Sequence, residues 1–297
     1  MPRLSTRIGV LAALMAACGL APAQQPPKPA PQVASGAPLP DIRELMRQAV
    51  DHQKQIEQVR ENYTFNSVQT VQDIDASGKV TKTETEEYND FFVNGHVIER
   101  MMKKNGQPLS AGDEQKETER VTKLIEKAQK TPPDQPLEGQ QVSVSKLLAI
   151  MDVRNPRRQI FRGRSTILFD FAGRKDAQTH GIVEDASKKL KGTIWIDEAD
   201  REVAHIEVTF DDNFRLVGGL FATVQKGSSF TFDQAPVESA AASGLWLPTG
   251  AEANVQARLL LFKNLRQHVT ERDFDFQHYG VEAQQGKDAN AVTPANR

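Results

Sequence analysis

The sequence of 297 residues has a single cysteine, Cys18. That excludes a disulfide scaffold and any zinc site built on thiolates, because both need sulfurs in sets. It has no excess of either charge: 37 Lys plus Arg face 39 Asp plus Glu, giving a formal net charge of -2 and a pI of about 6.3. A nucleic-acid binder ordinarily carries a basic domain, so no nucleic-acid partner is expected. No apolar run is long enough to span a bilayer, and no segment repeats at a fixed period. The short motifs of common chemistries are missing too: there is no G-x-S-x-G elbow, H-E-x-x-H pair, phosphate loop or dinucleotide fingerprint. No cofactor and no metal is expected from these absences, and an enzyme is the least favoured class.

What is present begins with an export pattern. Arg3 and Arg7 precede the apolar run 8–17, a charged n-region followed by an h-region of signal-peptide length. Two cuts fit. Ala21-Pro22-Ala23 is an A-x-A site releasing Gln24, whereas Met15-Ala16-Ala17-Cys18 resembles a lipobox whose cysteine would be acylated. The first is preferred because Met is a poor lipobox residue there. It predicts a periplasmic or exported product; the second predicts a lipoprotein anchored through Cys18, peripheral to a membrane. Either cut removes two arginines and no acid, leaving a net charge of -4.

Residues 24–40 are rich in Pro, Ala and Gln and read as a disordered linker. A folded domain is expected over 41–282, and the unpatterned tail 283–297 is expected to be disordered. Asp41-Ile-Arg-Glu44 has the form of a capping box. Ile42, Leu45, Met46, Ala49, Val50, Ile56 and Val59 follow at near-helical spacing to about Arg60. From Tyr63 the period drops to two, which predicts three antiparallel strands: one from Tyr63, one to Tyr88 after a turn at Asp75-Ala-Ser-Gly78, and one over 91–102. Residues 81–87 are polar on both faces, so a strand there should sit at an edge or project beyond the core. A surface helix is expected over 110–130 with its C-terminal half docked, and a short one around Val144, Leu147, Leu148 and Met151. Strands then run to the end, with 174–191 readable as helix or extended excursion. The fold class is α+β: a long antiparallel sheet with the N-terminal helix and a central helical insertion covering one face.

Four features are candidates for chemistry or binding. Asp73 to Glu84 has oxygen ligands at EF-hand spacing, but its flanks are β-branched and alternating, so a hairpin turn is the preferred reading over a calcium loop. Ser143-Val-Ser-Lys146 matches S-x-x-K but lacks the supporting motifs, and an N-cap serine explains it better. The six histidines share no ligand spacing; His205 and His268 fall on the polar faces of their strands. Arg154, Arg157, Arg158, Arg162 and Arg164 form the densest charge cluster. It suits an anionic partner such as a lipid headgroup, or simply a solvated strand edge that resists aggregation. Paired carboxylates are too numerous by chance for the sequence to single out a pair.

The order of helix, strand meander, helical insertion and further strands is similar to that of the LolA/LolB-like periplasmic lipoprotein-sorting superfamily, including RseB-type domains. Gly192-Thr-Ile-Trp-Ile-Asp197 with Glu202-Val-Ala-His-Ile-Glu-Val208 resembles its strand pair around an Asp-rich turn. Leu245-Trp-Leu-Pro-Thr249 and the long strand after it resemble its C-terminal end. The resemblance implies a curved, unclosed half-barrel whose concave face shelters acyl chains beneath a helical lid. For that apolar face the sequence offers Ile194, Ile196, Ile206, Val208, Phe210, Leu216, Leu220, Leu259 and Leu261; taken singly, each reads first as ordinary core under the helices. The expected function is binding of a lipid or lipoprotein acyl chain by a carrier or sensor. The alternative is an envelope protein-binding module of the same fold with a filled core.

Overall fold

The computed structural model describes residues 38–133, 135, 137, 148, 150–178, 182–216, 222–239, 242–259 and 263–278. The export signal, Cys18, nearly all of the linker, the S-x-x-K stretch, His180, Leu220, Leu261 and the tail lie outside them.

The chain opens with helix α1 (Ile42–Arg60), then strands β1 (Tyr63–Ile74), β2 (Val80–Val93), β3 (His96–Lys104) and β4 (Gln107–Pro108), and helix α2 (Ala111–Lys130). Strands β5 (Met151–Phe161) and β6 (Arg164–Gly173), a short helix α3 (Ile182–Ser187), β7 (Leu190–Asp197), β8 (Val203–Phe210), β9 (Phe214–Leu216) and β10 (Ala222–Val224) follow. Strands β11 (Ser229–Ser239), β12 (Ala242–Leu259) and β13 (Lys263–His278) complete it. All pair antiparallel in one sheet of order β4-β3-β2-β1-β13-β12-β11-β8-β7-β6-β5, with β10 paired to β12 off this path and β9 paired to β10. Strands β4 and β5 stand at opposite ends of that order, so the sheet is an unclosed half-barrel.

Helix α1 starts where Asp41 accepts the Glu44 N–H at 2.9 Å. Only half of the capping box forms, because the Glu44 carboxylate turns to Arg47 instead of back to the cap. Its buried stripe, Leu45, Ala49, Gln53 and Ile56, follows the helical period. Leu45 and Ala49 lie in the main core with Ile167 and Phe169 of β6, Ile194 of β7, Ile206 of β8 and Ala253 of β12. Gly192 lets β7 lie close to β8: a Cβ there would come within 1.8 Å of the Glu207 carbonyl.

Helix α2 forms where expected, capped by Ser110, and its second half docks through Val121, Leu124 and Ala128. It does not share a face with α1. It packs on Phe91, Val93 and Ile98, and these alternate along β2 and β3 with Asp90 and Glu99, which point to the α1 side. The N-terminal helix and the helical insertion therefore cover opposite faces of the sheet. Asn94, at positive φ, ties the β2–β3 turn to the end of α2 by donating to the Ala128 and Thr131 carbonyls. That turn at Asn94-Gly95 puts Phe91 to Val93 in β2, not in the next strand.

The polar half of β2 is an interior strand that projects past the core, with residues 80–83 exposed. Met151, at helical spacing with Leu147 and Leu148, is instead claimed by β5, where it pairs with Gly173. Within 174–191, a loop precedes α3.

Candidate functional site

Of the apolar residues proposed for a concave face, Ile194, Ile196, Ile206, Val208 and Phe210 are buried and packed into the main core beneath α1. They form the floor on which the helix sits and present no open surface. Leu259 is half-buried on β12 opposite Ala222, which also pairs with Leu216 of β9.

The opening lies to the side of that core. A groove of about 890 Å³ runs between α1 and the start of β5. Its apolar lining is Ile42, Met46 and Val50 on the helix and Leu148, Met151 and Val153 across from them. Arg43, Arg47, Lys54 and Arg174 bring cationic side chains to it, with Asp51 and Asp152 as acids. Helical spacing puts Ile42, Met46 and Val50 in one row beside the core-facing Leu45 and Ala49. The same helix therefore closes the core with one row and lines the groove with the next. Arg47 is held by Glu44 and Asp51 at 2.6 and 3.0 Å.

The arginine cluster straddles the β5–β6 hairpin and is largely matched by acids of the protein itself. Arg157 pairs with Asp170 at 2.8 Å. Arg158 forks onto both Glu198 oxygens at 2.9 and 2.6 Å, and its hydrogen bonding holds Glu198 below the usual carboxylate range. Arg162 reaches Asp233 at 3.0 Å while lying over the Phe161 ring. Arg164 grips buried Asp197 at 2.5 and 3.0 Å, touches Asp200 at 2.6 Å and stacks over Trp246. Arg154 is exposed and favours the charged form of Asp170. An anionic partner would have to compete with these carboxylates.

His205 is buried between the rings of Phe161 and Trp195 and meets Asp233 at 2.6 Å. His268 lies across from Asn254, 3.0 Å away. In the Asp73 to Glu84 segment Asp75 Oδ1 accepts the N–H groups of Ser77 and Lys79 and the Ser77 hydroxyl. These bonds build the hairpin turn, with β1 and β2 as its flanks.

Sequence reasoning missed one constellation. Asp90 of β2 and Glu271 and Asp273 of β13 are all buried. Burial pushes Asp90 up to about 8, and the charges of Glu99 and Asp273 add to the shift. Burial raises Glu271 well above the ordinary range, with Asp273, Glu99 and Asp90 contributing. Apart from this cluster, Glu202 is pushed up to about 7 by burial and by Asp200, beneath Gln53 of α1. The signal available in the sequence was parity: Tyr88, Asp90 and Phe92 alternate together, as do Val269, Glu271 and Asp273, so these acids occupy positions that alternation assigns to apolar residues.

No protein-family model matches the sequence, and no curated protein matches it. Among solved structures, the chain is similar to a domain assigned to outer membrane lipoprotein sorting from Vibrio parahaemolyticus, at 9% identity over 82% of this chain and 98% of that one, with a TM-score of 0.36. It is also similar to a DUF1329 family protein from Desulfovibrio piger ATCC 29098, at 10% identity over 80% of this chain and 98% of that one, TM-score 0.35. A third is MucB in complex with MucA(peri), at 8% identity over 78% and 100%, TM-score 0.22. The order of elements and the unclosed antiparallel sheet are those expected from the resemblance to the LolA/LolB-like superfamily; likenesses at this identity and these TM-scores say nothing of chemistry.

Proposed function

We propose that this chain is an exported cell-envelope protein that carries or senses an apolar ligand, a lipid or acyl chain, in the groove between α1 and β5. The groove itself carries the reading. Its volume falls within the range of about 300–1,000 Å³ usual for small-molecule sites, and the apolar half of its lining includes Met46 and Met151, side chains that adapt to a flexible chain, beside a charged half. Being open along one side, it leaves a polar head in water while sheltering the apolar part. The export pattern at the N-terminus supplies the compartment. Carriage needs no chemical step, only a change in how α1 sits.

The test uses an apolar fluorescent probe. The unaltered protein is expected to bind it, and Val50→Glu to weaken binding about tenfold or more, since a carboxylate on the groove wall costs at least about 1.4 kcal/mol. Val50 is only half-buried, so the unfolding midpoint should change little. No binding by the unaltered protein, or equal binding by the variant, removes the reading. A protein-binding module is the second reading, favoured by the end strand β5, where Ile160 is 52% exposed.

A further inference from the structure

The groove makes no use of the acids beneath the other end of α1. Asp90 is 1% exposed, Asp273 5% and Glu271 8%. The register brings them together across four strands. Asp273 stands opposite Ser67 of β1, Ser67 opposite Tyr88, two residues before Asp90, and Asp90 opposite Glu99 of β3. Glu271 stands opposite Gln69, which donates to it at 3.0 Å. Neither carboxylate oxygen of Asp90 has a hydrogen bond of normal geometry; the Ser67 hydroxyl eases its charge without offsetting burial.

Other charges face the cluster from each packed element. Arg60 of α1 lies over Phe92 at 5.5 Å, its Nε buried without a hydrogen-bond partner, and it feels Asp273 together with its neighbours Glu57 and Glu61. Glu61 also feels His96 of β3. On the far side Arg120 of α2 is bound to Glu117 and to the Glu99 carbonyl, and on the same face as Asp90 the Tyr88 hydroxyl donates to Glu86. Among the described residues Arg60 is thus the inward cation beside three buried acids, Asp90, Glu271 and Asp273, while Glu99 is exposed and lies in the field of Arg120. Burial favours the neutral form of Asp90 and of Glu271.

We propose that Asp90 and Glu271 form a proton-held clasp beneath the C-terminal end of α1: protonated, they lie neutral on the buried face beside Asp273 and Arg60; deprotonated, they place charge there that Arg60 cannot match, repel Asp273 and one another, and loosen that end of the helix. Only protons are exchanged, from carboxyl to solvent. The upward shifts of Asp90 and Glu271 put the clasp closed in mild acid and loosened above about pH 8. The clasp stands whether or not the groove holds a ligand.

Hydrogen exchange on the full chain tests it, comparing residues 57–62 with 42–49 at about pH 6 and about pH 9, as protection factors corrected for intrinsic rates. A carboxyl that holds its proton about ten times more tightly when the clasp is closed than when it is open moves the opening equilibrium about tenfold on losing that proton. Protection over 57–62 is therefore expected to fall about tenfold or more as pH rises, and over 42–49 by much less. Asp90→Asn with Glu271→Gln should remove most of the fall. Glu202→Gln, which alters the separate polar contact with Gln53, should leave it in place. An unchanged fall in the double variant, no fall in the unaltered protein, or a fall abolished by Glu202→Gln alone would overturn the clasp. Should Asp90→Asn fail to fold, the carboxyl resonance of Asp90 in the unaltered protein decides: titration near neutrality or above supports the clasp, and titration near the ordinary carboxylate range, about 4, rejects it.

Discussion

Two regions of one sheet face lie beneath the same helix and are built on opposite principles. Under the first half of α1, strands β6, β7, β8 and β12 supply an aliphatic and aromatic core, and the charges nearby sit at the rim, where Arg158 and Arg164 each hold a carboxylate in a two-pronged grip. Under its last turns, β1, β2 and β13 place acids inside, with Arg60 as the inward cation among the described residues. Helix α2 does nothing to relieve this, because it packs on the opposite face. The difference shows how charge is handled by position. At the rim it is neutralised by pairing, which is independent of pH across the physiological range; inside it is neutralised by protonation, which is not.

The comparison breaks most sharply if the apolar region is emptied. Phe169→Ala should cost about 3–5 kcal/mol in denaturant unfolding, because the ring is fully buried and its neighbours are themselves fixed in strands. At the rim, Asp197→Ala should cost about 3 kcal/mol, since it strands Arg164 and the two turn amides of Ala199 and Asp200. Arg157→Ala, in a pair that is well exposed on both sides, should cost no more than about 1 kcal/mol. Equal losses for these two would mean that the cluster is not graded by burial.

The acidic region is probed by pH. Asp90 has an ordinary value of 3.8 when exposed and about 8 in the fold, so between those values the folded state binds the proton that the unfolded chain has lost. Its contribution to stability is full below about pH 4, falls by up to about 1.4 kcal/mol per pH unit, and is gone above about pH 8. Thermal midpoints should accordingly decline from mild acid towards pH 8, and Asp90→Asn should flatten that decline. A variant with the same slope as the unaltered protein would show that Asp90 does not hold its proton.

Much of the scaffold was legible from the sequence because it is local. Alternation at Ile206, Val208 and Phe210 marked a core strand, Asp41 and Ser110 marked helix starts, and Asn94-Gly95 marked a turn. The β2 boundary was misplaced because Tyr88 and Phe91 both look terminal until the turn is given its pairing. Two things were beyond local reading. Which face α2 covers depends on the parity of Phe91 and Ile98 relative to a core assembled from strands distant in sequence. The acid cluster depends on register between β1, β2 and β13, which no spacing within one segment reveals. The groove shared that fate: its far wall, Met151 and Val153, belongs to a strand whose partner is set by the sheet order. Of the apolar candidates, Ile194, Ile196, Ile206, Val208 and Phe210 belong to the packed core beneath α1.

The most direct measurement is native mass spectrometry of the protein purified from the cells that express it, with the unaltered chain compared with Val50→Glu. A bound species of lipid mass is expected on the unaltered protein and is expected to be lost, or strongly depleted, on the variant. A bare polypeptide mass in both, persisting after incubation with lipid vesicles, would contradict the proposed function.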